Sequence, residues 1–183
     1  RQHIPLMTLP GMAERTLRIG SAGKTFSLTG WKIGYITGAP ALLSSVAKTH
    51  QYNIFTTPPG IQLAVAFGLT KGDDYFTGLA ADLQARRDQL SAGLEKIGFK
   101  TMVSEGTYFL TVDFRPLLGR MGGFNGDDVE FCQHITTKAG VGAVPVSAFY
   151  QQADVDHFVR FCFCKGEALL DQALERLSDH FST

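Results

Sequence analysis

Fourteen consecutive residues hold most of the chain's potential chemistry: Ser21-Ala22-Gly23-Lys24-Thr25-Phe26-Ser27-Leu28-Thr29-Gly30-Trp31-Lys32-Ile33-Gly34. They bring together two lysines, three glycines and four hydroxyl residues. Apolar residues precede them (Leu17, Ile19) and follow them (Ile33, Tyr35, Ile36), as they would a loop between two strands. Two cations, hydroxyls and freed backbone N–H groups on one loop make an anion site, with phosphate the best fit. Lys24, flanked by glycine and threonine, can then reach what the phosphate carries. Solvated surface lysines are the plain alternative for Lys24 and Lys32. A nucleotide-binding P-loop fits worse. Gly23-Lys24-Thr25 suits its last three positions, but the opening glycine would be residue 18, which is Arg18, and no helix follows directly.

A second charged landmark is Arg160, within Val159-Arg160-Phe161-Cys162-Phe163. Burying an arginine among β-branched and aromatic residues is costly unless an anion meets it. Its planar fork suits a carboxylate. Alternation along the strand also allows Arg160 to sit opposite Phe161 on a wet face.

The stretch around Lys24 resembles the lysine signature of class I/II aminotransferases, pyridoxal-phosphate enzymes of fold type I (S-x-x-K, then G-W-[KR]-x-G). It is most similar to their kynurenine, glutamine and methionine aminotransferase subgroup. That resemblance implies that Lys24 forms the Schiff base with pyridoxal 5′-phosphate and shuttles the substrate's Cα proton. Ser21 and Lys32 would hold the cofactor phosphate, and Arg160, followed by Lys165, would bind the substrate's α-carboxylate. Phe55 matches an aromatic that reaches toward substrate, often from a partner subunit, although plain core is its alternative. Gly106-Thr107-Tyr108-Phe109 matches a stretch near the substrate, which makes Tyr108 a candidate contact; packing alone could equally explain it. Gly140-Val141 through Pro145, Ser147 and Phe149 matches a further subgroup pattern, G-V-x-x-x-P-x-S-x-F, near the mouth of the site.

The expected activity is transfer of an amino group between an amino acid (methionine, aromatic, glutamine or kynurenine type) and a 2-oxo acid. A pyridoxal-phosphate C–S β-lyase and a non-catalytic ligand-binding domain of aminotransferase fold are the alternatives. The resemblance places the chain as the C-terminal half of such an enzyme, entered midway, since no residue in 1–20 matches the family's aspartate, asparagine and tyrosine around the cofactor ring. Alone it is expected to be inactive.

Composition agrees with a folded α/β protein. Of 183 residues, 44% are hydrophobic, and 17 basic residues balance 17 acidic ones. That balance argues against bulk binding of nucleic acid or anionic membrane. No apolar run has the length of a membrane span. Three cysteines (Cys132, Cys162, Cys164) do not make a disulfide framework, and Cys162 and Cys164 read as small buried strand residues. The five histidines share no metal-ligand spacing, so no metal is expected. A reducing, cytoplasmic setting and a homodimer, the family habit, follow.

The elements that must carry these residues read as follows. Residues 1–16 form a loop, Arg15 to Gly20 a strand, Gly34 to Gly38 another, and Pro40 to Asn53 a helix opened by proline. A nearly all-apolar helix over 61–69 is expected to be buried against another layer or subunit. Tyr75 to Ile97 carries a helical stripe stopped by Gly98. Strands over 99–103 and 108–114 follow, then a helix from Asp127 to Ala139 with Val129, Cys132, Ile135 and Ala139 inward. A strand over 158–164 and a helix over 167–181 close the chain. The fold class is therefore α/β: the end of a large cofactor-binding domain (1–72), a linking helix (73–97), and a small C-terminal α/β sandwich of order β-β-α-β-β-α (98–183).

Overall fold

The structure, a computed structural model, describes residues 3–151 and 155–182. Positions 1, 2, 152–154 and 183 lie outside it; they fall in the expected N-terminal loop, in the loop after Tyr150 and at the last residue. The chain divides into two compact units, residues 1–74 and 75–183.

The first unit is built on an antiparallel hairpin. Strand β1 (Leu17–Ser21) pairs with β2 (Gly34–Gly38), with Ser21 opposite Gly34. Glycine is required at that closing pair, because a Cβ on Gly34 would lie 2.6 Å from the carbonyl oxygen of Gly20. Between the strands run a single helical turn, α1 (Ala22–Thr25), and a short 3-10 turn over Thr29–Trp31. Helix α2 (Pro40–Asn53) has its proline in the first turn, where the missing N–H is harmless. Helix α3 (Pro59–Leu69) buries only Val65 and Gly68. Its Leu63 and Phe67 are 72% and 65% exposed, so the burial expected for this helix is not met within the chain. The reason is local: one face of α3 rests on Phe26, and no layer of these residues covers the other.

The second unit has a complete core. Its sheet has the order β3-β4-β6-β5, every pair antiparallel: β3 (Lys100–Thr101), β4 (Phe109–Asp113), β5 (Val144–Pro145) and β6 (Phe158–Cys162). Helix α4 (Asp73–Ile97) precedes it, α5 (Asp128–Lys138) lies between β4 and β5, and α6 (Glu167–Phe181) ends it. The β-β-α-β-β-α order is as the sequence implies, although β3 is only two residues long. One face of the sheet (Leu110, Val112, Val159, Phe161) packs on Leu90 and Leu94 of α4, Phe131 and Ile135 of α5, and Leu177 and Phe181 of α6. Phe131 is central, stacked on Phe114 at 4.1 Å between ring centres and meeting Phe99 edge-on at 6.1 Å.

Helix α5 departs from the expected facing. Val129 is exposed, and Asp128 and Phe131 turn inward instead. The Asp127 side chain accepts from the Val129 and Glu130 N–H groups while Glu130 accepts from Asp127 N–H, a capping box that fixes the register. The buried Asp128 carboxylate then accepts from the backbone N–H and the hydroxyl of Ser147, at 2.7 and 2.6 Å. Gly98 and Gly140 follow α4 and α5 with φ of 117° and 68°, conformations glycine adopts without strain.

Candidate functional site

In the first unit the hairpin gathers Ser21, Lys24 and Lys32 on one connection. Ser21 ends β1 and stands at the N-terminus of α1; Lys24 sits in that turn, exposed. The chain is then folded back tightly: Leu28 N–H donates to Gly23 carbonyl at 3.0 Å, Trp31 N–H to Leu28 carbonyl at 3.0 Å, and Ala22 N–H to Ile33 carbonyl at 3.2 Å. That last bond links the residue after Ser21 to the residue after Lys32. Lys32 is exposed and left-handed, with φ 52° and ψ 46°.

Backbone strain marks the same places. Among the described residues, the non-glycine residues with positive φ are Ser27, Lys32, Phe55 and Thr107. Such conformations cost free energy and persist where the surroundings enforce them, commonly at functional sites. Two lie in the lysine stretch, one is a candidate aromatic, and one immediately precedes Tyr108. Phe55 is 74% exposed, which excludes a core role for it within this chain. It borders a cleft of about 630 Å³ together with Ile33, Gly34, Tyr35, His50 and Gln62. Ser21, Lys24 and Lys32 do not line that cleft.

In the second unit Arg160 lies on the sheet face opposite Phe161, as alternation allows. It occupies β6, between β4 and β5, paired with Thr111 on one side and Val144 on the other. Its guanidinium carbon is 3.9 Å from the centre of the Phe109 ring and 4.5 Å from that of Phe149. The rings hold a half-buried cation. Its Nε is buried with no hydrogen-bond partner, and among the described residues it has no carboxylate partner. A buried donor left unpaired is costly, so the arrangement is suited to receive an anion.

Tyr108 is partly buried against the core of this unit, and its carbonyl accepts from Phe163 N–H at 3.0 Å. Phe109 is the residue of that stretch beside Arg160. Sequence reasoning did not single out Phe109, nor Phe149 as its counterpart. The signal was the two-residue period, which puts 109 and 111 on one face of β4; only the pairing of Phe109 with Cys162 and Thr111 with Arg160 showed which face. Ser147 gives its hydroxyl to Asp128 and is a structural residue within this unit.

The cysteines also required correction. Cys132 is buried, and burial, reinforced by the charge of Asp128, pushes its thiol up to about 12. Cys162 is half-buried and Cys164 exposed, on the face opposite Phe161 and Phe163. The strand alternates as expected; the aromatic residues take the core side and leave the thiols outside.

A family profile described as aminotransferase class I and II matches residues 5–177, and the chain belongs to that family. Members of the family use pyridoxal phosphate. The chain is 46% identical to the probable N-succinyldiaminopimelate aminotransferase DapC of Mycobacterium tuberculosis, over 97% of this chain and 45% of that protein. The solved structure of the M. tuberculosis enzyme superposes with a TM-score of 0.88 over 98% of this chain and 46% of that one. Kynurenine–oxoglutarate transaminase of Dictyostelium discoideum is 40% identical over 96% of this chain and 44% of that protein. YbdL of Escherichia coli, whose structure and reactivity identify a methionine aminotransferase function, is 36% identical with a TM-score of 0.86, over 97% of this chain and 45% of that one. The chain thus spans about 45% of the length of the relatives it matches.

No helix among the described residues is long and apolar enough to cross a membrane.

Proposed function

We propose that the protein is a pyridoxal-phosphate aminotransferase, with residues 1–72 belonging to its cofactor-binding domain, 73–97 to a linking helix and 98–183 to its small domain. The observation that carries this reading is the Lys24 turn, a lysine folded into one strained connection with Ser21 and Lys32. The donor set fits the cofactor: a hydroxyl and an ammonium for a phosphate, and an exposed amine for an aldehyde.

Pyridoxal phosphate, when bound, supplies the electron sink for reaction at the substrate's Cα. Ser21 and Lys32 would hold its phosphate. Lys24 would supply the amine that holds its aldehyde end, and would take up and later return the substrate's Cα proton. Arg160 binds the substrate α-carboxylate through paired N–H donors, which orients the Cα–H bond. Phe109 and Phe149 hold the guanidinium in place and keep water from it. Phe55 and Tyr108 are the further candidate substrate contacts. The donor is an amino acid with a free α-carboxylate. The named relatives suggest kynurenine, methionine and N-succinyl-diaminopimelate as the first donors to try, each with 2-oxoglutarate. A homodimer in the cytoplasm goes with this reading; the exposed apolar side of α3 and the three free thiols are compatible with it.

The test is borohydride reduction of the full-length protein loaded with pyridoxal phosphate, followed by peptide mapping. Label is expected on Lys24, and Lys24→Ala is expected to lose roughly 10²–10⁴-fold or more in turnover while keeping its far-UV circular dichroism. Label on another lysine alone, or none, would overturn the assignment.

A further inference from the structure

At the end of the Arg160 strand and just beyond it, the sulfurs of Cys162 and Cys164 are 3.1 Å apart. Cys162 is the last residue of β6 and Cys164 lies just beyond it; the buried Phe163 between them takes the core side and leaves both thiols outside. We propose that Cys162 and Cys164 form a reversible dithiol–disulfide pair, a modification site for hydroperoxides and for small disulfides such as oxidised glutathione.

Geometry permits the bond. Alternate residues of an extended strand are roughly 6.6–6.8 Å apart at Cα, at the wide end of the span a disulfide accepts. The strand ends at Cys162, and only the Phe163 N–H bond to the Tyr108 carbonyl ties the backbone between the two cysteines to the neighbouring segment, so the chain toward Cys164 can draw in at the cost of that one bond. The division of labour follows from burial. Cys164 is exposed and meets the oxidant first. Cys162 is half-buried; burial raises its thiol, and the side chain of Cys164 raises it further, while the Cys164 backbone and Lys165 work the other way. Cys162 therefore serves as the resolving thiol. Cys132, on the core side with its thiol pushed up to about 12, takes no part.

The chemistry balances. The Cys164 thiolate attacks one peroxide oxygen, the O–O bond breaks, and a sulfenic acid and hydroxide form. Cys162 sulfur then attacks Cys164 sulfur, the S–O bond breaks, and the second oxygen leaves as water after taking the Cys162 proton. Two thiols and one hydrogen peroxide give one disulfide and two waters. With oxidised glutathione the same pair is oxidised by exchange, releasing two glutathione thiols.

Closing the bond also reaches Arg160. The Phe163 N–H that donates to Tyr108 carbonyl lies between the two cysteines, and Cys162 pairs directly with Phe109, on whose ring Arg160 rests. Oxidation therefore loosens the Arg160 clamp, a consequence that rests on the function proposed above.

The experiment uses the full-length protein, exposed to hydrogen peroxide or oxidised glutathione and digested with trypsin. Cleavage after Arg160 and Lys165 leaves Phe161–Lys165, a peptide holding both cysteines. Its mass is expected to fall by two hydrogens, to recover with dithiothreitol, and not to fall in Cys164→Ser or Cys162→Ser. Mass gained as stable sulfinic acid or as a glutathione adduct, with no loss of two hydrogens, would overturn the pair. In the amino-transfer assay the oxidised wild type should show a several-fold higher KM for the amino acid, reversed by dithiothreitol and absent in Cys164→Ser. A disulfide that leaves KM unchanged would overturn the coupling to Arg160. Absence of any amino transfer by the reduced protein would instead count against the proposed function, and the mass shift would still decide the pair.

Discussion

The two units differ in what holds them together. The second buries a continuous core from three helices and one sheet face, with Leu94, Leu117, Phe131, Ile135 and Val159 fully enclosed. The first buries Ala22, Ile33 and Val65, and leaves Leu63, Phe67 and Ile19 largely exposed. Yet the first holds the lysine turn, fixed by backbone hydrogen bonds and glycines rather than by apolar mass. In the second, the charged site is a face of a sheet whose other face is the core. A reactive loop can thus be shaped by local chain geometry, whereas a half-buried cation needs a packed scaffold behind it.

The sharpest way to break this comparison is core truncation. Phe131→Ala is expected to cost about 3–5 kcal/mol, whereas Leu63→Ala, at an exposed position of α3, should change the stability of this chain by no more than about 0.5 kcal/mol. Denaturant titration would separate the units, because the single tryptophan, Trp31, reports on the first and the accessibility of buried Cys132 to alkylation reports on the second. A large cost at Leu63 would mean that the first unit is not held by local geometry.

The next effect is at the sheet face. Arg160→Gln should raise KM for the amino acid by roughly ten- to hundredfold, the equivalent of about 1.5–3 kcal/mol for hydrogen bonds to a charged group, and Arg160→Lys should recover only part because the ammonium lacks the planar fork. Steady-state kinetics checks this; an unchanged KM would make Arg160 a structural cation. Phe109→Leu keeps volume and removes the aromatic face, so its effect should be smaller, about 0.5–2 kcal/mol, seen in KM with the unfolding midpoint nearly constant.

The smallest effect is with pH. Asp113 is buried in β4; burial works to raise its carboxyl, but hydrogen bonds and charge from Arg115, with charge from His157, outweigh that and hold it below the ordinary 3.8. A carboxyl lowered in the folded state adds stability that is fully present above its ordinary value and is lost as pH falls through the lowered one. The Asp113–Arg115 pair should therefore lose its contribution to the second unit only below about pH 4, and Arg115→Gln should move that acid loss to higher pH. Thermal unfolding across the acid range reads the shift. An unchanged acid limb would show that the Arg115 pair adds nothing.

Much of the molecule was legible from residue order. The α2 and α6 bounds, the hairpin strands around the lysine turn, and the β-β-α-β-β-α order follow from proline and glycine placement and from apolar period, which act within a few residues. The lysine stretch was legible for the same reason: its residues are consecutive, and the chain folds back on itself within it. What lay beyond the sequence depended on pairing and layers. Helix α3 looks buried by composition, but composition does not state whether a covering layer is present. Val129 gave way to Phe131 because the capping box at Asp127 sets the helix register.

On β6 and the two residues after it, alternation separates residues 160, 162 and 164 from 159, 161 and 163, but it is silent on which set faces the core. The helices decided that by taking the larger apolar set, Val159, Phe161 and Phe163. That single choice exposed the two thiols and turned Arg160 toward Phe109 and Phe149. The sequence by itself determined which residues could do chemistry and the elements that carry them, because those are local properties of the chain. Packing between elements decided which aromatic rings flank the arginine and that the two thiols face away from the core, because both depend on strands and helices brought together from distant parts of the chain.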